Sequence, residues 1–189
     1  MATIAFVADG YAGASMQQIA ERAGVTKPVV YALYRSKEEL FAAVVDQVSA
    51  GMAERIAVAT AERGTSQLGA GIRAFLEYSR AHRGLWGPIF SSVQHGAVLE
   101  AVRRLQDRQV ELVAAALRRG HEDAGLEPQD DEIEALAHLV SGAVQSVGQW
   151  WARHPGIGLD EVANFLEAAI APSLATIRTD RTGAPWFDT

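Results

Sequence analysis

The sequence predicts an all-α protein, a three-helix helix-turn-helix unit followed by a larger helical domain, with about nine helices in all. Apolar residues recur at helical spacing from end to end, runs of alternating β-branched residues are missing, and Gly and Pro fall between the periodic segments. At 189 residues there is room for a small domain fused to a medium one, and the pattern divides the chain into 1–46 and 47–189.

In order, the expected elements are a short helix ending at Gly10, a second from Met16 to Ala23, a third from Lys27 to Tyr34, and a long fourth from Lys37 to about Arg63. Further segments cover Ser66 to His82, Leu85 to Gln94, Val98 to Ala124, Asp131 to Arg153 and Leu159 to about Arg178, with an irregular tail from Thr179. The early helix starts are explicit. Ser15 followed by Gln18, and Ser36 followed by Glu39, have the spacing of a capping box, in which each side chain meets an orphan backbone N–H. Thr26 is placed to cap the third helix, and Pro28 sits in its first turn, where a missing N–H costs little. Between the second and third helices, Gly24 suits the left-handed conformation that ends a helix, and Val25 plugs the angle between them.

Composition narrows the functional classes. Cysteine is absent, which excludes disulfides and thiolate metal sites. No stretch approaches the roughly 18 apolar residues of a membrane span, and no secretory signal is visible, so no membrane partner and a cytoplasmic address are expected. The net charge of −6 argues against a surface coated in cations. The first 48 residues carry four cations and five acids, so charge alone does not single them out.

Pattern does. The run Phe6–Tyr11, then Ser15–Pro28 with Ile19, Ala20, Ala23, Gly24 and Val25 in place, then Val30-Tyr31 and Ser36-Lys37-Glu38-Glu39-Leu40-Phe41, resembles the N-terminal signature of TetR-family regulators. The resemblance covers about the first 45 residues, and the remaining helices are similar to that family in number, length and layout only. It implies a DNA-binding transcriptional regulator whose third helix enters the major groove. Residue by residue, it implies that Lys27 touches bases or phosphates, Tyr31 hydrogen-bonds a phosphate, and Lys37 neutralises a phosphate beside a helix N-terminus. It also implies that Ser15 and Gln17, at the start of the second helix, reach the sugar-phosphate backbone, that Thr26 belongs with the DNA-binding residues, and that Val29 suits a thymine methyl. Ser15 and Thr26 also read as simple caps, and Tyr31 as a core aromatic, although Val30, Leu33 and Tyr34 already supply a core face. A cation at Lys37 opposes the helix dipole, which asks for a further reason. Ala32 and Leu33 stand where many relatives carry bulky polar or aromatic residues, implying little readout of base edges by hydrogen bonds. Against the family pattern the first helix also starts late, which leads us to expect a missing turn ahead of Met1.

The second part offers two apolar stripes on each of its last helices. One runs through Ile133, Leu136, Val140, Val144, Val147 and Trp151, and another, of smaller residues, through Leu139, Gly142 and Ser146. The final helix carries Val162, Leu166, Ala169 and Ile177, and also Phe165, Ile170 and Leu174. A surface helix needs one apolar face, so two faces predict a homodimer built from both helices, matched to a pseudo-palindromic DNA operator. Tyr78, Trp86, Phe90 and Trp150 fall in segments that the family resemblance places around an effector cavity, and imply a small, largely apolar effector. Plain core packing explains any one of them equally well. The reading that follows is a repressor released from its operator by the effector.

Nothing suggests an enzyme. The five histidines show no metal-ligand spacing, and neither a phosphate loop nor a nucleophile elbow is present, so no catalytic residue, metal or cofactor is expected. The other open reading is a helix-turn-helix scaffold that binds a protein partner and senses no small molecule.

Overall fold

The computed structural model describes residues 1–61, 67–83, 85, 96–123, 125 and 129–174. Among these the protein is all-helical. Helices α1 (Ala2–Gly13), α2 (Met16–Ala23) and α3 (Lys27–Leu33) precede the long α4 (Lys37–Ala59). Then come α5 (Gln67–Ala81), α6 (Gly96–Asp123), α7 (Asp130–Ala152) and α8 (Leu159–Leu174). Apart from Leu85, which is buried, the helix expected over Leu85–Gln94 lies outside the described residues, as does the tail from Thr179.

Local chemistry explains the helix ends. Ser15 Oγ accepts from the Gln18 N–H at 3.2 Å while Gln18 Oε1 accepts from the Ser15 N–H at 3.1 Å, completing the capping box. Ser36 Oγ accepts from the Glu39 N–H at 3.1 Å. Thr26 occupies the N-cap of α3, but its side chain makes no cap hydrogen bond there. Gly24 ends α2 at φ 68° and ψ 25°, the left-handed conformation the turn requires. Gly10 lies at φ 68° and ψ 174°, a region essentially reserved for glycine, so the first helix breaks there and resumes to Gly13.

The N-terminal helices close around aromatic rings. Phe6 meets Phe41 edge-on at 5.0 Å, and Tyr11 lies 4.8 Å from Phe41, so α1 is fastened to α4. Ile19, Ala20 and Met16 of α2 complete this core, whereas α3 buries only Val30. Leu33, expected to help the core, is 72% exposed, because the seven-residue α3 leans on α2 through Val30 and leaves its far face outside.

Helix α4 continues through position 46 without a break and packs along α6, with Val44, Val45, Val48 and Met52 buried on its core side. Helices α5, α7 and α8 surround the rest of the core, and α8 lies on both α5 and α7. On α7 the stripe Ile133, Leu136, Val140, Val144 and Trp151 is buried, while Leu139, Gly142 and Ser146 face outward. On α8 the inward row is Val162, Leu166 and Ile170 at four-residue spacing, and Phe165 and Ala169 point out. Ala169 thus leaves the stripe, and Ile170 joins it, because one α-helical row advances by four. No helix among the described residues is long and apolar enough to cross a membrane.

Candidate DNA-recognition face and effector cavity

Helix α3 turns Lys27, Val29, Tyr31, Ala32 and Leu33 to solvent. Lys27 Nζ stands 5.7 Å from the centre of the Tyr31 ring, one turn along the same edge, so the two side chains are held as a pair. Tyr31 is 42% exposed and Val29 46%, too open for core residues of a helix this short. Ser15 and Gln17 are exposed at the start of the neighbouring α2, where Gln17 Nε2 donates to Glu21 Oε1 at 2.7 Å.

Lys37 has a structural reason to oppose its helix dipole. Its Nζ donates to the Ala12 carbonyl at 3.4 Å and lies 4.6 Å over the Tyr11 ring, tying the end of α1 to the start of α4. Two further ammonium protons are left for an outside acceptor. Burial raises the Tyr11 phenol above its ordinary pKa, with the nearby Glu38 carboxylate adding to the rise. Arg22 pairs with Asp9 at 2.9 Å, so this cation serves the α1–α2 contact.

A cavity of about 380 Å³ opens between α4, α5, α6 and α7. Ile56, Leu68, Ile72, Phe75, Val113 and Val144 make its walls mostly apolar. Its few polar groups are largely committed. Thr60 Oγ1 donates to the Ile56 carbonyl at 2.9 Å, and Gln109 Nε2 to Met52 Sδ at 3.1 Å. Buried His121 has Nδ1 2.7 Å from the Leu117 carbonyl, which makes that nitrogen the donor and leaves Nε2 as an acceptor in the neutral ring. Ser141 Oγ, also on the lining, is buried with no hydrogen-bond partner among the described residues. Such a cavity suits an apolar molecule carrying one or two hydrogen-bonding groups.

The outer faces of α7 and α8 are the third feature. Leu139 is 50% exposed and Phe165 63%, and a side chain added at Gly142 would meet nothing within 4 Å in the same protomer. This leaves apolar side chains beside an open glycine on the outer face of the two helices.

A family profile described as "Bacterial regulatory proteins, tetR family" matches residues 2–44. The HTH-type transcriptional activator FasR of Mycolicibacterium smegmatis is 32% identical over 151 residues, 77% of this chain and 66% of that protein. The chain belongs to the TetR family.

This TetR-family regulator spans just under two thirds of the length of FasR. A TetR-like transcriptional regulator from Rhodococcus sp. RHA1 superposes with a TM-score of 0.66 at 28% identity, over 92% of this chain and 91% of that one. The fold also matches the regulator FadR from Bacillus subtilis, solved in complex with stearoyl-CoA, with a TM-score of 0.72 at 14% identity over 89% and 93% of the two chains. Its homologues are transcription regulators and not enzymes.

The TetR helix-turn-helix brings Lys27 and Tyr31 into contact and sets Ser15, Gln17, Thr26 and Val29 exposed on adjoining α2 and α3. The aromatics named for the effector are arranged differently. The Tyr78 ring stacks on His82 at 4.1 Å and its hydroxyl faces Gly51 on α4, and Tyr78 is absent from the cavity lining. Trp150 is 42% exposed and stacked on His154 at 4.4 Å, also off the lining. Both are turned away because α5 and α7 direct Phe75 and Val144 inward, and Tyr78 and Trp150 lie on other faces. Trp86 and Phe90 lie outside the described residues. Sequence reasoning missed Phe75, His121 and Ser141. Phe75 sits in an ordinary apolar stripe, His121 lies among charged residues, and Ser141 is a single hydroxyl in an apolar run, so none carries a signal until four helices converge.

Proposed function

We propose that this TetR-family regulator is a cytoplasmic homodimer that binds a pseudo-palindromic operator and leaves it when a small, largely apolar effector fills the cavity. Residues 1–46 form the DNA-binding unit in this reading, and 47–189 the effector and dimerisation unit. Ser15, Gln17, Thr26, Tyr31 and Lys37 contact the sugar-phosphate backbone, Lys27 reaches a phosphate or a base, and Val29 covers a thymine methyl. Leu139, Gly142 and Phe165 lie in the symmetric interface.

One observation carries the proposal. Helix α4 starts with Lys37 beside the recognition unit and ends with Ile56 and Thr60 in the cavity wall, so one helix touches both sites. An occupant that widens the wall displaces α4 and changes the spacing of the two recognition helices. The stearoyl-CoA held by FadR from Bacillus subtilis supports an acyl chain as the occupant. FasR is described as an activator, so loss of DNA binding would raise or lower transcription according to where the operator stands. The repressing sense is our reading.

Anisotropy of a labelled duplex at low and moderate salt, with and without dodecanoyl-CoA, tests it. Steep salt dependence and a rightward shift on adding the acyl compound are expected. Salt-independent binding to DNA, or an acyl compound that stabilises the protein and leaves DNA affinity unchanged, rejects the reading.

A further inference from the structure

A second cavity of about 360 Å³ lies beyond the first, and Phe75 lines both. Along α5, Leu68, Gly71 and Ile72 face the first cavity, and Ser79, Arg80 and, two residues past the helix end, Arg83 face the second. Along α7, Val140, Ser141 and Val144 face the first, and Gln145, Gly148 and Gln149 the second. The order is the same on both helices, so the two spaces are successive parts of one groove between α5 and α7. Phe75 stands at their junction. Its ring lies only 3.3 Å from where a β-carbon at Gly148 would be, so glycine on α7 lets the ring close the groove.

The two parts differ in chemistry. The first is apolar apart from the few groups described above, whereas the second carries two guanidinium groups and two side-chain amides. Neither Arg80 nor Arg83 forms an ion pair among the described residues, while Arg73 on α5 pairs with Asp160. The far wall is fixed, because Trp151 Nε1 donates to the Ile157 carbonyl at 2.8 Å and pins the α7–α8 loop in place.

We propose that the groove is a two-part site for an anionic amphiphile, with the tail in the first cavity, a carboxylate or phosphate head between Arg80 and Arg83 in the second, and the Phe75 ring turning aside to admit the connecting chain. The charge supports this occupant, since guanidinium groups bind both heads through paired N–H donors. The proposal rests on the first cavity being the effector site.

Calorimetric titration of the full chain with dodecanoate, dodecyl phosphate and 1-dodecanol tests it. Both anions should bind about tenfold more tightly than the alcohol of the same chain length, and the stronger of the two identifies the head. The double variant Arg80→Gln/Arg83→Gln should lose that preference and keep its affinity for dodecanol. Both residues are exposed, so the variant should fold, and an unchanged melting temperature without ligand checks this. Equal binding of alcohol and anions, or a preference that survives in the double variant, overturns the two-part site and leaves the apolar cavity standing. Failure of all three compounds to bind removes the cavity reading and this one together.

Discussion

Arg104 on α6 grips both carboxylate oxygens of Asp46 on α4, at 2.7 Å through Nη2 and 3.2 Å through Nε. The hydrogen bond to Asp46 is the main cause of a raised Arg104 pKa, so the contact favours the charged guanidinium. It links the helix that begins at Lys37 with the helix that carries Gln109, Val113 and His121 along the cavity. Both side chains are about half exposed, so Arg104→Gln should cost no more than about 1 kcal/mol of stability. Its larger effect should fall on communication between the sites. The factor by which dodecanoyl-CoA weakens DNA binding should shrink, and by linkage DNA should weaken acyl binding by the same reduced factor. A variant with full coupling by both titrations would show that the α4–α6 packing, and not this pair, transmits the effect.

The recognition face makes a second prediction. Tyr31→Phe removes one hydroxyl from an exposed ring and should leave the fold intact while weakening duplex binding. Lys37→Ala should weaken it as well and lower the salt slope by about one unit, because one phosphate contact releases about one counterion. Lys37 also holds the Ala12 carbonyl, so its melting temperature should fall slightly, whereas that of Tyr31→Phe should not. Unchanged affinity and slope in both variants would reject this docking face.

Gly142 provides a clean test of dimerisation. Nothing in the same protomer lies within 4 Å of a β-carbon there, so Gly142→Leu meets no internal clash. The change should raise helix propensity by up to about 1 kcal/mol. Between two copies it should overpack a close helix contact. Sedimentation should therefore show a weakened dimer or a monomer whose helix content by circular dichroism is retained. A dimer as tight as wild type would place the interface elsewhere.

Gly51 and Tyr78 are coupled across α4 and α5. A β-carbon at Gly51 would overlap the Tyr78 hydroxyl, and the ring carbon bearing it stands at 3.3 Å. Gly51→Ala should thus destabilise by about 1–2 kcal/mol despite better helix propensity. Removing the hydroxyl with Tyr78→Phe should restore much of that loss, giving a non-additive cycle in urea unfolding. Additive effects would mean that the ring moves aside freely.

Much of the fold was legible in the sequence for a definite reason. Ser15 with Gln18, Gly24 in the turn, and Ser36 with Glu39 act within three or four residues, so helix ends near them are fixed by local hydrogen bonds and backbone sterics. The family signature condenses those same local constraints, which is why residues 2–44 identified the chain while the rest gave only lengths and periodicity.

Tertiary structure decided everything that depends on which face meets which. Periodicity gave α7 and α8 two apolar stripes each, but only packing sorted Val162, Leu166 and Ile170 inward and Phe165 outward. Leu33 and Phe75 look alike as apolar helix residues, yet one is bare because a seven-residue helix leans on α2, and the other divides two cavities. The lone hydroxyl of Ser141 and the buried ring of His121 became site residues only when four helices converged on them. Local sequence determined where helices start and stop, because those interactions span one turn; the cavity walls come from residues as far apart as Ile56 and Leu174, and that juxtaposition exists only in the folded chain.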